Sequence, residues 1–164
     1  MTIYHETLTM TSTAGQVTFF DLTDRVRDVV ERSGATEGLV SVFSPHTTCA
    51  VITQEAAFDL SMTGLETLQQ DMVDVLARMI PNQDREGQYL HPGPKAVAFA
   101  AEHNEGLREA HNTDAHLRSA VVGRSETVPV TDGELSLGEF GRIYFVDFDH
   151  TRARQRRADV TVWF

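Results

Sequence analysis

Gly38-Leu39-Val40-Ser41-Val42-Phe43-Ser44-Pro45-His46-Thr47-Thr48-Cys49-Ala50-Val51-Ile52-Thr53 is the stretch on which the fold class turns. A continuous apolar run at 39–43, too short for a typical helix, predicts a buried strand. Pro45 has no N–H to give a sheet ladder, so the strand must break there. The apolar run resumes at 49–53 as another strand. The polar break between them carries an imidazole and three hydroxyls, at the kind of sheet end where binding groups collect.

Upstream, Tyr4, Glu6, Leu8 and Met10 alternate with Ile3, His5, Thr7 and Thr9, which predicts an edge or half-buried strand. Residues 17–20 form a second short strand. Thr23 has the type of an N-cap, Leu22, Val26, Val29 and Val30 share one helical face, and Gly34 supplies the stop. Downstream, Leu65, Leu68, Met72, Val75, Leu76 and Met79 keep helical spacing until Pro81. Residues 81–94 carry three Pro and two Gly and read as a loop. Residues 95–110 are rich in Ala but weakly patterned and stay ambiguous. Thr113 or Asp114 caps a short helix with Leu117, Ala120 and Val121 inward, ending at Gly123. Strands at 126–130 and 134–137 flank the hairpin signal Asp132-Gly133. Strands at 142–148 and 158–164 follow. Two or three helices among about eight strands, mostly hairpin-linked, predict an α+β fold in a single domain over 1–164.

Composition bounds the partners. The chain has 164 residues, 41% hydrophobic and 23% charged, ordinary for a globular domain of this size. A net charge of −10 disfavours nucleic acid and anionic membrane, though not a small anionic substrate. Arg152, Arg154, Arg156 and Arg157 form the one basic cluster, read either as a local anion site or as a solvated turn between strands. Cys49 is the single cysteine, which excludes an intrachain disulfide and a thiolate-rich metal site and suits a reducing compartment. No signal peptide and no membrane-length apolar run stand out, so the expected location is the cytoplasm.

Seven histidines are present: His5, His46, His91, His103, His111, His116 and His150. No pair has the i, i+4 spacing that places two ligands on one helical face, so spacing alone is weak evidence of metal. Context favours His46, in the strand break, and His116, in the polar run 111–117 before a helix. Glu55 follows one strand later, where a carboxylate serves as general base or orients a histidine. Plain turns, caps and solvated strand ends account for the same residues without function. No phosphate loop, dinucleotide fingerprint or nucleophile elbow is present.

The order of short motifs carries more than any one of them. Pro45-His46-Thr47-Thr48 leads to Gln54-Glu55, then Tyr89-x-His91, then Asn112-x-x-Ala115-His116-Leu117-x-Ser119, Val121-x-Gly123, Leu135-x-Leu137-Gly138 and 143–149. Over nearly the whole chain this resembles the YjbQ-type family of secondary thiamine-phosphate synthases. The resemblance implies a homotrimer. It also implies transfer of a hydroxymethylpyrimidine from its diphosphate to a thiazole phosphate at a histidine-rich metal site. By matching motifs, His46, His91 and His116 would hold a divalent metal, zinc first, with magnesium an alternative for a diphosphate. Thr47, Thr48, Asn112 and Ser119 would line the site and bind the phosphate-bearing small-molecule substrate, and Glu55 would accept a proton. The chain departs from the pattern at Gln54, usually Asn, and at Phe140-Gly141, often Trp-Gln. The longer stretch before Asn112 makes His103 a rival to His91. A metal-dependent hydrolase and a non-catalytic metal- or metabolite-binding trimer use the same residues.

Overall fold

A computed structural model describes residues 1–103, 105, 106 and 110–164. In chain order its strands are β1 (Ile3–Thr11), β2 (Thr18–Asp21), β3 (Glu37–Phe43), β4 (Cys49–Glu55), β5 (Ser125–Thr131), β6 (Glu134–Leu135), β7 (Gly141–Asp147) and β8 (Gln155–Trp163). The helices are α1 (Thr23–Ser33), α2 (Thr67–Met79), α3 (Pro94–Glu102) and α4 (Thr113–Val122). The strands form a five-stranded sheet, ordered β1-β8-β3-β5-β6, and a three-stranded sheet, ordered β2-β7-β4, with every pairing antiparallel. The class is α+β, as expected from the sequence.

Why β4 and β7 are so apolar follows from the layers; β3, in the larger sheet, buries Val40 and Val42 but leaves Leu39 and Phe43 exposed, so the fully buried strand expected at 39–43 is corrected to one buried on a single face. The three-stranded sheet is buried on both faces, the situation in which strands lose their polar alternation. Val51, Ile143 and Phe145 face a core shared with α1 and the larger sheet, where Val26, Val40, Val42 and Val160 meet them. Ala50, Ile52, Tyr144 and Val146 face the other way, under Leu76 of α2 and Ala115 of α4. α1 ends as its sequence predicts, with Gly34 in a left-handed conformation donating its N–H to Glu31. Asp132 and Gly133 both have positive φ and turn β5 into β6.

Several expectations are corrected. Hairpins do not dominate: among the described residues, β5–β6 is the one neighbouring pair that is also consecutive in sequence. β1 instead pairs with β8 from the far end of the chain, Ile3 opposite Trp163. Thr23 is not the cap of α1 but its first residue; its hydroxyl donates to Asp21 and accepts from the Ile143 N–H, tying the helix to β7. α2 begins with a capping box in which Glu66 and Gln69 exchange hydrogen bonds. In α4, Leu117, Ala120 and Val121 face outward, while Ala115, Arg118 and Ser119 are buried. Of the ambiguous stretch 95–110, residues up to 102 are helical; positions 104 and 107–109 lie outside the described residues. Among the described residues, no helix is long and apolar enough to cross a membrane.

Candidate functional site

The strand break after β3 sits where its sequence suggested, at the mouth of a cleft of about 640 Å3. Pro45, His46, Thr47 and Thr48 form one wall of it. The start of α4 brings Asn112 and His116, and the loop before α3 brings His91. Ala96, Phe99 and Ala100 of α3 make an apolar wall. The floor is Asp149, Arg154 and Arg156, from the end of β7 and the start of β8.

Arg156 is the electrostatic centre. Its side chain is only 6% exposed, on the face of β8 that also buries Ala158 and Val160. Its Nε donates to Asp147 Oδ2 at 2.7 Å, and Nη2 donates to Asp147 Oδ1 at 3.0 Å and to Thr48 at 3.1 Å. Among the described residues, nothing in this network bonds Nη1. The solvated-turn reading of the arginine cluster is thereby corrected for Arg156, while Arg157 is exposed as that reading has it. Arg156 is buried, Arg154 pairs with Asp149 at 3.3 Å, and Arg152 pairs with Glu105. Asp149 also accepts from Asn112 at 3.1 Å and from the Thr151 hydroxyl at 2.6 Å. Burial pushes its carboxyl up, but the bonds from Thr151 and Asn112 and the Arg154 charge outweigh burial and hold it below the usual value.

The three expected histidines line this one cleft, and their hydrogen bonds say what they can do. The backbone N–H of Arg157 donates to His46 Nε2 at 3.0 Å. The neutral ring therefore carries its hydrogen on Nδ1, and its lone pair at Nε2 is taken. His91 and His116 stand edge to face with ring centres 5.7 Å apart. His116 is bonded to the Thr47 backbone. Burial, followed by the Arg156 charge, lowers the affinity of His46 for a proton. Burial and the neighbouring His91 do the same to His116.

The metal expectation is corrected at this point. Among the described residues, no three His, Cys, Asp or Glu side chains are grouped so as to hold an ion. His46 cannot ligate through Nε2 without giving up the Arg157 N–H. The other expected residues divide. Thr47, Thr48 and Asn112 line the cleft with the histidines. Ser119 does not: it is buried and donates to the Cys49 carbonyl at 2.6 Å. Glu55 is at the far end of β4, in a separate depression with Gln54, Glu126 and Gly141. His103 stacks on Phe99 and bonds its own helix. Cys49 is fully buried beside Asp147, and burial first, then that charge, drive its thiol pKa up, so it is no nucleophile. The sequence names Arg156 only within the basic cluster, without singling it out, and gives Asp147 and Asp149 no role of their own. The signal for Arg156 was there: the alternation of Ala158, Val160 and Val162 extends back to it.

Comparison with known proteins gives one consistent answer. The family described as "UPF0047 protein YjbQ-like" matches residues 6–163. A UPF0047 protein of Archaeoglobus fulgidus is 33% identical over 143 residues, covering 87% of this chain and 90% of its own. The UPF0047 protein YugU of Bacillus subtilis is 31% identical over 134 residues, 82% of each chain. A crystal structure of a YjbQ/UPF0047 protein from Clostridium acetobutylicum superposes with a TM-score of 0.71 at 26% identity, covering 98% of this chain and 99% of that one. A protein of unknown function from Sulfolobus solfataricus, titled YbjQ-like, gives 0.71 at 25% identity, with coverage of 98% and 96%. None of these names carries a thiamine-phosphate activity. With the grouped metal site also missing among the described residues, the expected transfer at a histidine-held metal is withdrawn.

Proposed function

Because the chain belongs to the YjbQ-like UPF0047 family, a family matched here by names that state no activity, we propose from the cleft itself that it is an acid–base site for a small organic anion, a phosphate or a carboxylate. One observation carries this reading: the buried guanidinium of Arg156 lines the same cleft as three imidazoles. The acids of the cleft are already engaged, Asp149 by Asn112, Thr151 and Arg154, and Glu105 by Arg152. Among the described residues, Arg156 Nη1 and the Nδ1–H of His46 remain as donors for an anion. The apolar wall of α3 takes the carbon body of the ligand. His91 and His116 would exchange a proton with it, His116 as a neutral base at pH 7 because burial keeps it uncharged.

The test is titration of the protein with inorganic phosphate and with acetate by calorimetry. Saturable binding is expected, weakened about tenfold or more when the charged hydrogen bond is removed by Arg156→Met. The double variant Asp147→Asn/Arg156→Met strands no carboxylate and keeps the measurement clean if the single variant unfolds. No saturable binding of either anion, or binding indifferent to both variants, sinks the reading.

We further propose that the chain assembles as a homotrimer, supported by an apolar outer surface on the helical layer. Leu68, Val75 and Met79 of α2 and Leu117 and Val121 of α4 are all exposed. A reducing compartment such as the cytoplasm suits its single free cysteine.

A further inference from the structure

We infer that Gln83 and Thr113 are positioning residues that aim His91 into the cleft, an inference that rests on the acid–base reading above. His91 belongs to a loop, yet its carbonyl is held from two sides. The Thr113 hydroxyl donates to it at 2.7 Å and the Gln83 amide at 3.2 Å. The same Gln83 side chain turns its oxygen to the Thr113 N–H at 3.0 Å. One amide therefore bridges the first residue of α4 and the His91 backbone, and both clamp residues are nearly buried, Gln83 at 9% and Thr113 at 7% exposure.

A second tie fixes the base of the same loop. Arg118, one turn along α4 and 1% exposed, donates to the Ile80 carbonyl through Nη2 at 2.7 Å and to Asn82 at 2.7 Å. The helix that carries His116 thus also dictates where the His91 loop runs. A glutamine suits the bridge because its carboxamide offers a donor and an acceptor on one planar group. A loop so anchored gives an imidazole a fixed position without itself belonging to a regular element, and fixed position is what proton transfer requires.

Gln83→Glu separates the two halves of the clamp. The carboxylate still accepts the Thr113 N–H, at a helix start that favours negative charge, but has nothing to donate to His91. The nearly buried carboxylate then faces the His91 carbonyl oxygen, so the thermal midpoint should fall by several degrees while the circular dichroism spectrum at about 25 °C stays that of the wild type. The nuclear Overhauser contact between the His91 and His116 ring protons should weaken or vanish, and the dissociation constant for inorganic phosphate should rise about tenfold. Thr113→Val should act in the same direction, and Thr113→Ser, which keeps the hydroxyl, should restore the ring contact. The ring contact is read without ligand, so it stands or falls apart from phosphate binding. Unchanged ring contacts in both Gln83→Glu and Thr113→Val, or equal loss in Thr113→Ser and Thr113→Val, would overturn the clamp. A wild type that shows the clamp but binds no phosphate would overturn only the reading of the site.

Discussion

Arg156 is a cation carried into the protein by a strand, and its surroundings make it expensive to disturb. Removing one partner from a buried ion pair leaves the other charge stranded, at roughly 3–5 kcal/mol. Asp147→Ala is expected to lower the thermal midpoint by about 10 °C or more, since a domain of this size loses a few degrees per kcal/mol. Differential scanning calorimetry of the variant checks it; a change of only a degree or two would show that water already shares the charge. The histidines make a separate claim. His46 and His116 bind protons less readily than in an unfolded chain, each mainly because it is buried. As pH falls below about 6.5 the unfolded chain takes up protons that the folded one resists, so stability drops until the pH passes below the folded values. Asp149 acts lower on the scale: its contribution is present above the ordinary carboxylate value and is lost as pH falls through its depressed one. The midpoint of the wild type should thus fall between pH 7 and pH 5, and His46→Gln should flatten that slope. A slope equal in wild type and His46→Gln would mean that His46 is solvated.

At the scale of elements, the strands were legible and the faces of α4 were not. The run 38–53 announces two strands and a polar break because short apolar runs on either side of a proline are a local pattern; β4 is apolar because both its faces are buried, while β3 keeps Leu39 and Phe43 on an exposed face. α4 misled because its inward face is held by polar groups: Arg118 bonds the Ile80 carbonyl, and Ser119 bonds Cys49. Hydrophobic spacing cannot find a helix that buries an arginine and turns its leucine outward. Glu55 was placed at the site because one strand separates it from His46 in sequence. β4 runs away from the cleft, so its far end reaches the other end of the sheet. Thr47, Thr48, Asn112 and the three histidines line one cleft although they are far apart in sequence, because the motif order preserves what converges in space. The same scale gives a packing prediction. A methyl group on Gly38 would sit 2.1 Å from the Trp163 carbonyl oxygen, where β3 meets the end of β8. Gly38→Ala should part the strands locally at about 1–3 kcal/mol, the usual range for forced overpacking. Amide hydrogen exchange should rise at 38–40 and 161–163 while β4 and β7 stay protected; uniform protection would show that the backbone absorbs the clash.

For the whole molecule, the apolar outer face of α2 and α4 should be covered in solution. Multi-angle light scattering is expected to give about three times the chain mass, and Val75→Glu combined with Val121→Glu should reduce it to one, with the circular dichroism spectrum unchanged. A wild-type mass of one chain would remove the trimer. The order of strands carries a last consequence, for how this protein is made. β8 lies between β1 and β3, yet it is the last of the strands in the sequence. While a ribosome is still adding residue 150, β1 and β3 have no strand to join them, and both present open backbone edges of the kind that recruit other chains. Arg154 and Arg156 arrive with β8 as well, so the cleft acquires its cations only when the large sheet closes. A nascent chain therefore gains the floor of its cleft and its protection from aggregation in a single event, once residues 155–163 have been made.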